Sequence, residues 1–226
     1  MPLLPSGNWR DKAVVDFSLY LITDRRQTMG RSLVSVVRQA LDGGVRAVQL
    51  REKDLTGREL FILAEELRRI TREYGARLLI NDRLDIALAV DADGVHLGAA
   101  SLPVSAARSM LGLGPHGLIG YSAHGMNEAA QAAADGADFV TFGPVFFTPS
   151  KAAYGEPLGV DLLHSASMAL AIPVFALGGV KLENISEVMA AKAHGIALIS
   201  AVIAAADPKL EAASLLQTIE QHAINP

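Results

Sequence analysis

No cysteine occurs anywhere in the 226-residue chain. That absence excludes a disulfide framework, a zinc–thiolate centre and a thiol nucleophile. Positive charge is not in excess either: 20 Lys and Arg stand against 24 Asp and Glu, a formal net charge of −4. Sequence-independent nucleic-acid binding usually leaves a basic stripe, so the balance argues against it. No apolar run approaches the roughly 20 residues that span a bilayer. The first residues lack the basic-then-apolar order of a signal peptide. The expectation is a cytoplasmic protein with neither a membrane nor a nucleic-acid partner. No heptad or apolar stripe speaks for or against a homo-oligomer, which stays open. Disorder is disfavoured, because hydrophobic residues make up 50% of the chain and charged residues 19%.

What the chain does contain is a repeat of element types. Short apolar runs of strand length recur as SLYLIT (18–23), AVQLRE (47–52), RLLIND (77–82), GVHLG (94–98), LIGYSA (118–123), FVTFGP (139–144), PVFALGG (173–179) and GIALIS (195–200). Helical patterns lie between them. In GRELFILAEELRRITREYG, residues Phe61, Ala64, Leu67 and Ile70 recur at three-residue steps with charges between. Gly-Gly and Gly-Ala pairs such as Gly43-Gly44, Gly75-Ala76 and Gly136-Ala137 close helices before the next strand. Strands alternating with helices through short connections imply a parallel sheet. About eight such units imply closure into a TIM (β/α)8 barrel, with an open doubly wound sheet as the alternative. No linker divides the chain, so one domain is expected over 18–226, preceded by an N-terminal arm over 1–17.

In such a barrel the reactive groups collect where strands end. Side chains alternate along a strand, so Gln49, Arg51 and Lys53 share a face and Val48 and Leu50 the other. The apolar pair suits the helix side, which turns the polar trio towards the barrel axis. Two cations and an amide so placed suit a phosphate receiver. A salt-bridge layer with Glu52 or Asp82 is the structural alternative. Asn81-Asp82 ends the third run and suits either a turn or a Mg²⁺ ion held by a carboxylate and phosphate oxygens. Beyond Gly143-Pro144, Thr148, Ser150 and Lys151 offer small donors and a charge to an anion. Gly178-Gly179 and Ile199-Ser200 follow the last two runs, where barrels often hold phosphate. His124 lies just past a strand end near Ser122 and is the better acid–base candidate. His96 lies inside a strand, as satisfied core histidines do.

In order, LYLITD, VQLREKD, INDR, DGVHLG, IGYSAH, FGPVFFTPSK, FALGGV and ALISAV resemble the thiamine phosphate synthase family, from about Leu19 to Pro208. The resemblance implies a (β/α)8 barrel that joins a pyrimidine methyl diphosphate to a thiazole phosphate, with Mg²⁺, and releases diphosphate. It implies that Gln49, Arg51, Lys53 and Asn81 receive the pyrimidine diphosphate, with Ser122 beside it. It gives Thr148 and Ser150 to the thiazole and Lys151 to the leaving diphosphate, and it makes Arg51, Lys53, Ser122 and Lys151 the catalytic set. Gly178, Gly179, Ile199 and Ser200 would hold the thiazole phosphate, and Asp82 would bind magnesium. The family places a glutamine and then, two positions later, a second metal-binding aspartate where this chain has Ala99 and Ser101. A related thiazole tautomerase, needing neither magnesium nor diphosphate, is the alternative, with His124 as its base. A Schiff-base aldolase through Lys53 or Lys151 and a non-catalytic phosphate-binding barrel are the remaining classes.

Overall fold

Eight parallel strands close on themselves in sequence order, with β8 returning to pair with β1. This computed structural model describes residues 15–111, 117–148 and 156–224. The strands are β1 (Leu19–Ile22), β2 (Ala47–Leu50), β3 (Arg77–Asn81), β4 (Gly94–Leu97), β5 (Leu118–Ala123), β6 (Phe139–Phe142), β7 (Val174–Leu177) and β8 (Gly195–Leu198). Each falls within one of the eight apolar runs of the sequence. Closure rules out the open sheet. Among the described residues no helix is long and apolar enough to cross a membrane.

The helices between them are α1 (Leu33–Asp42), α2 (Gly57–Glu73), α3 (Leu84–Ala89), α4 (Val104–Leu111), α5 (Met126–Ala134), α6 (Gly159–Ala169), α7 (Ile185–Ala190), α8 (Ser200–Ile203) and α9 (Pro208–Ile224). Helix α2 shows why they form. Thr56 caps it by accepting from the Glu59 N–H at 3.4 Å, and Glu59 returns a bond from the Thr56 N–H at 2.9 Å. It stops at Tyr74-Gly75, where Gly75 takes φ of 61°. Its buried face is Leu60, Ala64, Leu67 and Ile70, whereas Phe61 packs only partly against the core. Each fully buried leucine or isoleucine there contributes about 1.5–3 kcal/mol.

Strand alternation sorts the core into two layers. Outward residues, Val48 and Leu50 among them, join the helices in one large cluster. Inward residues form a second cluster inside the barrel, where Tyr20, Phe139 and Phe175 gather around Phe17. Phe17 stacks on Phe175 at 5.2 Å and meets Phe139 edge-on at 5.6 Å. This aromatic floor therefore begins one position before Ser18. Residues 1–14 of the expected arm lie outside the described residues.

An electrostatic brace recurs where the strands begin. Asp93, ahead of β4, accepts from the Leu78 N–H at 2.8 Å and from Arg68 of α2 at 2.6 Å. Two units later Asp138, ahead of β6, accepts from the Ile119 N–H at 2.7 Å and from Arg108 of α4 at 2.5 Å. Each aspartate ties a helix to two adjacent strands, far from the strand ends.

Candidate active site

At the opposite end, where the strands finish, a cavity of ≈ 480 Å³ opens. Arg51, Lys53, Asn81, Asp82, Ser122 and Gly178 line it, and so do Ser101 and His124. These eight positions come from loops and strand ends distributed around the barrel, and closure brings them together.

The cations of this rim divide into two groups. Arg25 bonds to Asp54 at 2.5 Å, Arg26 to the same carboxylate at 2.6 Å, and Arg83 to Asp85 at 2.6 Å. The Arg25 guanidinium, helped by Arg26, holds the Asp54 carboxyl well below the usual carboxylate range. Arg51 and Lys53, by contrast, form no side-chain hydrogen bond or ion pair with any described residue. Glu52 cannot neutralise them. It is buried and turned to the other side, accepting from Thr23 Oγ1 at 2.7 Å and from the Arg25 N–H at 3.1 Å. Thr23 Oγ1 in turn accepts from the Arg51 N–H at 2.9 Å, fixing the backbone from which the free guanidinium projects. The salt-bridge layer considered from the sequence is absent here among the described residues.

Asp82 sits at the end of β3 with φ of 60°, a left-handed conformation that aspartate tolerates better than most residues. Its two oxygens accept from Asn81 Nδ2, at 2.8 Å, and from the Ser101 hydroxyl. Ser101 is itself held by the Gly98 N–H at 2.7 Å. The site thus offers one carboxylate and a hydroxyl to a cation. Among the described residues no group of three or more His, Cys, Asp or Glu gathers in the manner of a metal cluster. A single carboxylate still fits magnesium, which takes one or two and completes its shell with water and phosphate oxygens.

Gly178 and Gly179 both adopt left-handed φ, at 94° and 67°. A side chain on Gly178 would meet Pro144 Cβ at 2.6 Å, and one on Gly179 would meet the Phe147 carbonyl at 2.7 Å. The pair is therefore required for close passage of the loop after β6, beyond serving a turn. Ser200 opens α8 and Ile199 precedes it. Gly179, Ile199, Ser200 and Thr148 do not line the cavity. Ser150 and Lys151 lie outside the described residues.

Gln49 points inward, as its strand parity requires, but it is buried one layer below the cavity and donates to the Tyr20 hydroxyl at 3.1 Å. The same layer contains His96, and Thr141, also buried, stands between this layer and the cavity, which it helps to line. Burial, reinforced by the nearby Arg51 charge, pushes the His96 imidazole down to about 3, so it is neutral. His124 faces the cavity, with Nδ1 3.4 Å from a Glu128 oxygen. Tyr20 and Thr141 are site residues that the sequence reading did not single out, and Thr23 was legible only as a polar strand end. Inward parity with Ile22 was the available signal for Tyr20.

Taken together, these features define a (β/α)8 enzyme barrel whose mouth holds two cations without an ion-pair partner among the described residues, suited to small phosphorylated molecules. The chain belongs to the thiamine monophosphate synthase family, whose description matches residues 19–202. A relative from Geobacter sulfurreducens is 62% identical over 204 residues, covering 90% of this chain and 95% of its own. A thiamine-phosphate synthase from Syntrophomonas wolfei is 47% identical over 207 residues, 92% of this chain and 98% of the relative. Among solved structures, the thiamine phosphate pyrophosphorylase from Pyrococcus furiosus superposes with a TM-score of 0.83 at 38% identity, covering 91% of this chain and 96% of that one.

Proposed function

We propose that this barrel carries out the synthase reaction of its family on two small phosphorylated substrates in the cytoplasm. A pyrimidine methyl diphosphate loses its diphosphate as the methylene carbon–oxygen bond breaks, the electron pair leaving with oxygen. The thiazole nitrogen of a thiazole phosphate supplies the pair for the new carbon–nitrogen bond. No proton has to move in that exchange, so the protein's task is positioning and stabilising charge. The observation that carries the reading is that Arg51 and Lys53, which have no ion-pair partner among the described residues, line one cavity with Asp82.

On this reading Arg51 and Lys53 receive the diphosphate, and Asn81 orients the Asp82 carboxylate through the bond between them. Thr148 and Ser150 are assigned to the thiazole and Lys151 to the departing diphosphate. Gly178, Gly179, Ile199 and Ser200 are assigned to the thiazole phosphate, supported by the start of α8, which no side chain caps among the described residues. Asp82 would hold magnesium, which when bound neutralises charge on the leaving diphosphate. Gln49 supports the pyrimidine side from beneath.

Purified protein given both substrates and Mg²⁺ is expected to release diphosphate and form thiamine phosphate; absence of both products defeats the proposal. Isomerised thiazole phosphate without diphosphate would instead favour the tautomerase reading, which the His124–Glu128 contact supports. Restoring a second carboxylate offers a separate check. The variant Ser101→Asp is expected to lower the Mg²⁺ concentration for half-maximal rate by roughly tenfold, since ligand-shell changes commonly alter metal affinity by about 10–100-fold. An unchanged metal titration would remove position 101 from the metal site.

A further inference from the structure

The buried polar layer beneath the cavity forms a continuous chain. Gln49 Nε2 lies 3.1 Å from the Tyr20 hydroxyl, and that hydroxyl lies 3.3 Å from His96 Nδ1. On the other side of the ring, His96 Nε2 lies 3.0 Å from Ser122 Oγ. Thr141 Oγ1 is 3.3 Å from the same serine oxygen. Gln49, Tyr20 and His96 are buried beneath the cavity, whereas Ser122 opens onto it and the buried Thr141 borders it.

The direction of this chain follows from what each group can do. An amide NH₂ only donates. The Tyr20 oxygen therefore accepts from Gln49, and its own proton is given to His96 Nδ1. A neutral imidazole carries one proton, and with Nδ1 accepting, that proton sits on Nε2. His96 Nε2–H then donates to Ser122 Oγ. Thr141 can donate to the second lone pair of that oxygen. With Thr141 as the donor of that pair, Ser122 is left with one hydrogen bond to give, and the cavity is where it can be given. Neutral His96 agrees with this order, because an imidazolium would need an acceptor at Nδ1.

We infer that Gln49, Tyr20 and His96 act as positioning residues that fix Ser122 as a hydrogen-bond donor, so that the cavity selects a substrate acceptor at that point. The chemical class of the acceptor rests on the synthase reading. On an aminopyrimidine diphosphate, ring nitrogens and diphosphate oxygens accept, while the exocyclic amine donates. The amine therefore faces away from Ser122. Ligands that present a donor there are rejected, because two donors cannot pair and the Ser122 hydroxyl, once covered by the ligand, is left unsatisfied. Gly120 protects the arrangement: a side chain there would collide with the His96 ring and with Phe139.

The test begins with the substrate-free protein. Long-range ¹H–¹⁵N correlation spectra of ¹⁵N-histidine-labelled protein between pH 5.5 and 8 are expected to show His96 protonated at Nε2 and bare at Nδ1. A proton on Nδ1, or on both nitrogens, overturns the inference. A second measurement uses Tyr20→Phe, which keeps the ring in the aromatic floor and deletes the link. It is expected to give mixed His96 tautomers and a rise of roughly tenfold in KM for the pyrimidine diphosphate. The KM for thiazole phosphate should change by less than about twofold. Equal rises for both substrates, or no rise, also overturn it. Since the tautomer is read without turnover, its failure is distinguishable from a failure to release diphosphate, which would instead remove the synthase reading.

Discussion

Replacing Arg51 by alanine is expected to lower kcat/KM for the pyrimidine diphosphate by about 10²–10³-fold, the scale of losing one preorganised donor to developing negative charge. Stability should barely move. The guanidinium has no partner among the described residues, and the backbone beneath it stays fixed by Thr23. Surface changes of this kind usually fall within about 0.5 kcal/mol, a shift of roughly 1–2 °C in Tm for a chain of this size. Arg51→Lys should recover only part of the activity, since an ammonium cannot reproduce the forked geometry on a diphosphate. Steady-state kinetics beside thermal unfolding decide the matter. Full activity in the alanine variant would show that the diphosphate is received elsewhere. A fall in stability matching the fall in activity would show a structural arginine.

That asymmetry between a free Arg51 and a paired Arg25 is where the legibility of the sequence ends. Strand alternation is a local property, so the inward turn of Gln49, Arg51 and Lys53 could be read from β2 alone. The eight strands were legible for the same reason, each being a short apolar run between turn signals. Pairing across the barrel is not local. Glu52 follows Arg51 in sequence, yet it pairs with Thr23 and Arg25, because alternation sends it outward at the point where the β1 loop arrives. Gln49 has the parity of a cavity residue but stops one layer short, where Tyr20 takes its amide. The relay to Ser122 crosses several strands, and only barrel closure with the observed register brings those side chains into contact. The glycines at 178 and 179 were expected to admit a phosphate; the approach of another loop supplies a second, independent demand for them.

The strand starts carry the opposite dependence, with stability at stake and chemistry spared. Asp93→Ala is expected to destabilise the fold by about 3–5 kcal/mol, the cost of breaking a buried ion pair from one side. The side chains of Arg68 and Asp93 are 9% and 8% exposed, so water cannot readily replace the lost carboxylate. Arg68 Nε already lacks a hydrogen-bond partner, and the substitution would strand the rest of the guanidinium. The Leu78 N–H would lose its acceptor too. In a chain of this size the expected fall in Tm is roughly 6–20 °C. Activity per folded molecule should hold at low temperature, because Asp93 precedes β4 and the cavity lies beyond its far end. Adding Arg68→Met to Asp93→Ala should recover part of the loss by removing the stranded charge. Denaturant unfolding of the single and double variants measures this directly. A loss below about 1 kcal/mol would place the pair among ordinary surface contacts. A double variant no more stable than the single one would show that Asp93 acts through the Leu78 N–H and the second cation it faces, Arg77 at 3.6 Å, and not through Arg68.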